Sequence, residues 1–440
     1  MRFHCLGVGS IGSLLAFHLR QTNPAPKHTV CLLVKRNAFR RDLRHREGGI
    51  EKGKASICVE SGGVRRRIGG FDVEVHDPVT DGIHALSRIR TLHRPEPPGS
   101  AGRDIRPMDP DRTSSTETPA PIQHSHPPPY HTSTIQSLLV TTKAGSTKGA
   151  LKALKPRLGP SSTIVLLQNG MGQYEQLASE VFPQPSMRPH FIIGTTTHGV
   201  WSKGVHDVVH AGPGSIHFAV VPDPLNRRGF EPSYPFEIAA TGKAPPLDTS
   251  VISGASRYTD DPEFWSLAET LRALLRCTEL DPKWVPYDEL KSMQGKKLVV
   301  NACIGPLTAL LECRNGALYG DPSARRLVRQ VCSEAFQVFA AEAESQKGKN
   351  AESPKSFVSL FSLKSLESEV LRVMRTTSTN FSSMLVDVKR GRQTEIEFIN
   401  GYLSRLGRAH GVPTPTIDAL MEMIRMKGVI PPTPSLDSKL

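Results

Sequence analysis

Residues 2–15 run Arg2-Phe3-His4-Cys5-Leu6-Gly7-Val8-Gly9-Ser10-Ile11-Gly12-Ser13-Leu14-Leu15. An apolar stretch of strand length ends in three glycines spaced G-x-G-x-x-G, and apolar residues then recur at helical intervals at Ile11, Leu14, Leu15 and Leu19. The first glycine allows a tight turn, the second lets a pyrophosphate approach the backbone, and the third lets helix and strand pack closely. The pyrophosphate then meets free N–H groups at the positive end of the helix. Pro24 and Pro26 break the helix. Residues 30–34 are a continuous apolar run, as a buried parallel strand requires. Strand, turn, helix and strand follow in order, which predicts a Rossmann-type βαβ unit binding a nicotinamide dinucleotide at Gly7, Val8, Gly9, Ser10, Ile11 and Gly12. The second strand runs into Lys35-Arg36-Asn37 where an NAD site would carry Asp or Glu. Cations there suit a 2′-phosphate, so NADP (NADPH) is the expected cofactor, with Arg36 among its contacts.

Outward from this unit, residues 55–76 alternate around Gly-Gly pairs and predict short strands. Residues 87–133 are rich in Pro, Ser, Thr, His and Arg and lack hydrophobic periodicity, which predicts a disordered insertion. Strands are expected again near 135–140, 163–167, 191–197 and 214–221, with helices at 148–158 and 262–276 and a second long loop at 222–258. After Pro286 the pattern is mostly helical, with helices expected at 287–310, 323–345, 356–375, 395–410 and 416–427. The chain therefore reads as an α/β Rossmann-type N-terminal domain (1–286) followed by an all-helical C-terminal domain (287–430).

The formal charge is +13, which raises nucleic acid as a partner. Its distribution argues otherwise, because residues 1–70 hold 14 Lys/Arg against 4 Asp/Glu. The excess sits between Lys35 and Arg46 and at Arg65-Arg66-Arg67, where it suits an anionic cofactor and substrate or a solvated surface. No aromatic stacking surface, helix-turn-helix or zinc-finger spacing accompanies it. No apolar run reaches membrane-spanning length. The first strand begins at residue 2, so no secretory signal or mitochondrial presequence is expected ahead of it. Seven scattered cysteines without a C-x-x-C pair point to a reducing compartment, with the cytoplasm expected and mitochondria as the alternative, and to no metal site.

Four further stretches follow the glycine turn: Thr142-Lys143-Ala144; Gln168-Asn169-Gly170-Met171-Gly172; Lys297 through Asn301 and Gly305-Pro306 to Ala309; and Ser382-Ser383-Met384-Leu385-Val386-Asp387 through Thr394-Glu395 to Asn400-Gly401. Together these resemble the ketopantoate reductases (2-dehydropantoate 2-reductases). The resemblance implies NADPH-dependent reduction of 2-dehydropantoate to (R)-pantoate, towards pantothenate and coenzyme A, in a cleft between the two domains. It implies that Lys297 is the general acid and that Asn301, Ser383, Glu395 and Asn169 contact substrate. It also implies that Lys143 and Asn169 lie in the cofactor cleft. A homodimer is compatible with it. Gly305 stands where the family often has a second asparagine, which leaves the exact keto acid open. A reductase of another 2-keto acid and a non-catalytic dinucleotide-binding protein are the competing readings.

The residues support this chemistry on their own terms. Hydride transfer to a ketone leaves negative charge on oxygen, which an ammonium can stabilise and protonate. Lys297 and Asn301 are four apart, on one face of the expected helix, and Gly305 one turn further leaves room there. Lys296 points elsewhere. Plainer readings exist: Glu395 as a carboxylate favoured at a helix start, Ser383 as a helix cap, Asn169-Gly170 as a turn, and the cysteines as core residues.

Overall fold

The computed structural model describes residues 1–35, 50–51, 54–76, 134–223, 263–347 and 362–430. Arg36, the 87–133 stretch, the 224–258 part of the second loop and the start of the helix expected at 356 lie outside the described residues. In chain order the strands are β1 (Arg2–Leu6), β2 (Thr29–Val34), β3 (Ile50–Glu51), β4 (Lys54–Ser61), β5 (Val64–Val75), β6 (Ser137–Val140), β7 (Thr163–Leu166), β8 (His190–Thr196), β9 (Gly199–Gly204), β10 (Asp207–Gly212), β11 (Ile216–Val220) and β12 (Pro282–Trp284). The α-helices are α1 (Ser10–Thr22), α2 (Ala144–Leu154), α3 (Gln173–Glu180), α4 (Trp265–Leu275), α5 (Tyr287–Leu311), α6 (Pro322–Lys347), α7 (Leu363–Thr376), α8 (Ser383–Lys389), α9 (Asn400–Ala409) and α10 (Pro415–Val429).

β1 pairs in parallel with β2 on one side and β6 on the other, and the parallel core extends through β5, β7 and β8. Its order is β5-β2-β1-β6-β7-β8. Strand succession reverses between β1 and β6, and at such a switch point a doubly wound sheet opens a crevice at its carboxyl edge. Antiparallel pairing enters outside this core: β11 on β8, β4 on β5, and β9 on β10. The parallel strands carry apolar side chains on both faces because helices cover both. One core gathers Phe3, Val30 and Leu32 with Leu14, Phe17 and Leu271, and the other gathers Leu33, Leu138 and Ile164 with Leu151 and Leu177.

The short strands expected within 55–76 are instead a long hairpin. β4 and β5 turn at Gly62-Gly63, both at positive φ (57° and 79°), the conformation a two-residue hairpin turn needs. β5 then continues for 12 residues, through Gly69-Gly70.

α5 is the hub of the helical half. Its stretch from Leu298 to Ala309 is buried apart from Asn301, and α6, α7, α8 and α10 pack around it. Pro306 lies inside this helix and removes the donor that Ala302 O would otherwise have. The Asn400 side chain fills that vacancy, its Nδ2 donating to Ala302 O at 3.3 Å. The helix expected over 395–410 breaks in two, a 3-10 turn at Ile396–Phe398 and then α9, with Ile399 at φ −109°, ψ −90° between them. The cause is tertiary: Phe398 O accepts from Met171 N at 3.0 Å, which fixes the backbone in a direction a continuous helix cannot take.

His18, on α1, is 1% exposed. Burial, with Arg66, His210 and His198 adding to it against Glu279, pushes its imidazole down to about 4 from 6.5. The folded chain thus keeps His18 neutral where the unfolded chain would protonate it. Stability from this group is present above pH 6.5 and is lost as pH falls towards 4. The expected loss over that window is on the order of 3 kcal/mol, and His18→Leu should flatten that part of the Tm–pH curve. An unchanged slope in the variant would assign the acid lability to other groups.

Candidate active site

The glycine turn sits at the switch point between β1 and β6. Gly7 has φ +97°, and a Cβ there would lie 2.4 Å from Thr142 N. A Cβ on Gly12 would lie 2.1 Å from Gly7 O and 2.4 Å from Thr141 Oγ1. Both are glycines because backbone occupies the space. Gly9 differs: nothing lies within 4 Å of its would-be Cβ, so its backbone is open to a ligand. Gly9 also precedes α1 without a side-chain cap, which leaves first-turn amides for an anion. Val8 is partly buried against the sheet core, and Ser10 and Ile11 are half-buried at the helix start. Thr141, which the sequence reading did not single out, donates from Oγ1 to Gly7 O at 2.6 Å and pins the turn to β6. These features fit a dinucleotide pyrophosphate.

The carboxyl ends of β6, β7 and β8 carry the remaining groups. Lys143 follows β6 and Asn169 follows β7. Thr195 and Thr196 end β8, and together they hold Lys297 of α5: its Nζ donates to Thr195 Oγ1 at 3.2 Å and to Thr196 O at 2.8 Å. Burial pushes the Lys297 ammonium down to about 8, and Glu395 opposes that shift. Glu395 is itself buried, 6% exposed. Its Oε1 accepts from Ala144 N and its Oε2 from Asn169 Nδ2, both at 3.3 Å. Lys143 Nζ lies 3.5 Å from Glu395 Oε2 and 2.5 Å from Asp387 Oδ2. Burial lowers the pKa of Lys143, but Glu395 and Asp387 outweigh it and hold the group above its ordinary range. Two cations and two carboxylates from both halves of the chain thus meet at the strand ends. Gly170 makes the approach possible. Its φ is +84° and a Cβ would lie 2.3 Å from Phe398 O.

The structure brings Lys143, Asn169, Lys297 and Glu395 together, and Asn301 is half-buried one turn along α5 from Lys297. Ser383 is exposed at the start of α8, and the cap is Ser382, whose Oγ accepts from Leu385 N at 3.1 Å. The room expected beside Gly305 is filled: a Cβ there would meet Met384 Cε at 3.2 Å. The three arginines of β5 are engaged on the sheet. Arg65 pairs with Asp207, Arg66 with Glu279, and Arg67 donates to Ser56 Oγ. Asp387 lay in a quoted motif without a role, and Thr195 and Thr196 had no local signal beyond their strand. His4, Cys31 and Glu74 also converge, within 4.8 Å. Arg2 and Arg157 already share the Glu74 carboxylate, each at 3.0 Å, which makes this a buried ion network.

A parallel sheet core with a glycine turn at its switch point, faced by a helical half that delivers a half-buried lysine, defines a dinucleotide-binding oxidoreductase fold. Residues 108–223 match the family described as ketopantoate reductase PanE/ApbA, and residues 289–428 match its C-terminal part. A "Probable 2-dehydropantoate 2-reductase" of Schizosaccharomyces pombe is 30% identical over 294 residues, 66% of this chain and 73% of the relative. The 2-dehydropantoate 2-reductase of Yersinia pestis is 31% identical over 299 residues, 68% and 76% of the two chains. Among solved structures, D-mandelate dehydrogenase with NADH and anilino(oxo)acetate superposes with a TM-score of 0.61 at 16% identity, covering 97% of this chain and 98% of that one. The structure of a "Probable 2-dehydropantoate 2-reductase" from Bacillus subtilis gives 0.56 at 21% identity, covering 97% and 100%. The chain belongs to the ketopantoate reductase family.

Proposed function

We propose that the protein reduces 2-dehydropantoate to (R)-pantoate with NADPH, on the route to pantothenate and coenzyme A. The observation that carries this reading is Lys297, half-buried at the strand ends with its ammonium brought down to about 8 by desolvation. Relatives named for this one keto acid favour it over another 2-keto acid. The dinucleotide, when bound, supplies the hydride to the keto carbon. Lys297 then meets the negative charge that develops on the keto oxygen and donates its proton there. A pKa near the operating pH makes the ammonium an effective donor. Glu395 keeps the group charged despite burial. Asn301, Ser383 and Asn169 are the proposed hydrogen-bonding groups for the substrate. Gly7 to Gly12, Lys143 and Asn169 are proposed for the cofactor. The seven cysteines are free, which suits a reducing compartment such as the cytoplasm.

Two measurements test this. Purified protein should oxidise NADPH fastest with 2-dehydropantoate in a panel of 2-keto acids, and a flat response across the panel would contradict the substrate. NADPH should bind more tightly than NADH because Lys35-Arg36 follows β2, and Arg36→Asp should weaken NADPH more than NADH, by roughly tenfold or more. Equal affinity of the unmutated protein for both cofactors would remove the NADP assignment.

A further inference from the structure

We infer that Asp387 is a positioning residue: it holds the Lys143 ammonium off Glu395, so that Glu395 keeps its negative charge for Lys297. The inference rests on the role proposed for Lys297. Lys143 stands between two carboxylates, in close contact with Asp387 at 2.5 Å and at the edge of ion-pair range from Glu395 at 3.5 Å. The contacts of Glu395 with neutral donors are also long, both at 3.3 Å. Its carboxylate is therefore held in place with Lys143 as a longer-range partner than Asp387 is, and it still acts on Lys297.

Asp387 is oddly placed for anything but this task. It lies in the last turn of α8, where the helix dipole disfavours a carboxylate. It is 5% exposed, so its charge is desolvated as well. Its own backbone carbonyl accepts from Arg390 N and Arg392 N, which fixes the helix end. The compensation for both costs is Lys143, from the other half of the chain. Among the described residues, the charged groups facing this cluster are few. Glu395 and Asp387 face Lys143, and Glu395 faces Lys297. β8 offers Lys297 only a hydroxyl and a carbonyl.

Without the Asp387 charge, Lys143 has one carboxylate left. It closes on Glu395, neutralises it, and leaves Lys297 with burial alone, so the Lys297 pKa falls further. In Asp387→Asn the drop should be about one unit, the scale of one lost opposite charge nearby. Asp387→Glu should restore it.

The test is competitive acetylation of the full-length protein across pH, with mass spectrometry reading the titration of Lys297 directly and without substrate. The expected result is a Lys297 titration shifted down in Asp387→Asn and returned to the wild-type position or above in Asp387→Asn/Lys143→Gln. Suppression by the second substitution is the decisive feature, because a direct field of Asp387 on Lys297 would leave the shift in place. An unshifted Lys297 in a folded Asp387→Asn protein, or a shift that Lys143→Gln does not reverse, overturns the inference. Should the single variant not fold, the wild type and Lys143→Gln still decide. Lys143→Gln alone must not lower the Lys297 titration, and a fall overturns the inference. The alkaline limb of kcat/KM for NADPH-dependent reduction should move with the labelling titration. A labelling shift in a protein without reductase activity would sink the proposed function and leave the positioning role standing.

Discussion

Lys297→Ala should fold and bind NADPH as the wild type does, yet lose turnover by roughly a hundred- to ten-thousandfold, the usual worth of a positioned acid. The cofactor turn lies on β1 and α1, remote from α5 in sequence, and removing the half-buried Lys297 ammonium leaves no carboxylate stranded, since Glu395 retains Lys143. The loss should fall on kcat more than on KM if the ammonium mainly meets charge that develops in the transition state. Attraction to the keto acid's carboxylate would appear in KM instead. Reduction needs the protonated amine, so the wild-type rate should decline as pH rises through about 8, the value to which burial brings Lys297. That limb should vanish in the variant. Lys296→Ala is the control, as position 296 faces away from the cleft by helical spacing. Equal damage from the two substitutions, or near-full activity of Lys297→Ala, would remove Lys297 from the chemistry.

The cofactor turn makes a second large prediction through a pair of alanines. Gly7→Ala forces a Cβ to within 2.4 Å of Thr142 N at a φ of +97°. Backbone cannot yield as a flexible side chain can, so β1 and β6 must part at their carboxyl ends. The expected cost is roughly 3 kcal/mol of stability and at least about a hundredfold in NADPH affinity. Gly9→Ala meets nothing within 4 Å and should leave Tm unchanged while weakening NADPH, because its added methyl stands where the pyrophosphate approaches. Tm and NADPH fluorescence titrations on both variants separate the cases. A Gly9→Ala protein that binds NADPH like the wild type would mean that the open space above Gly9 is not the phosphate site.

The parts of the fold legible in the sequence are those whose causes are local. The β1-α1-β2 unit announces itself because a buried parallel strand, a glycine turn and an amphipathic helix each have their own pattern over fewer than fifteen residues. α5 was equally readable from Lys297 to Ala309. The strands that escaped, β3, β9, β10 and β12, are short or have weak patterns. β9 is half-exposed and begins and ends in glycine, and β12 has only 3 residues. α8 has 7 residues, too few for periodicity to register. The break before α9 is set by Met171, which lies in another part of the sequence, and nothing between 395 and 410 encodes it.

The site divides in the same way. Lys297, Asn301, Glu395 and Asn169 stood out because each lies in a recognisable stretch, and three of them meet at the strand ends. The partner of Lys143 did not, because Asp387 is 244 residues away and becomes its neighbour only when the helical half folds onto the sheet. The same distance effect misled the reading of Gly305, where the absent side chain suggested free space and Met384 occupies it.

The most direct test of the central claim follows one atom. Purified protein is supplied with 2-dehydropantoate and NADPH carrying deuterium at the transferable position of the nicotinamide, and the product is analysed by mass spectrometry and chiral chromatography. The account predicts (R)-pantoate with a single deuterium on the former keto carbon, formed at a rate that collapses in Lys297→Ala. Absence of pantoate, or pantoate whose new C–H hydrogen comes from solvent, would contradict it.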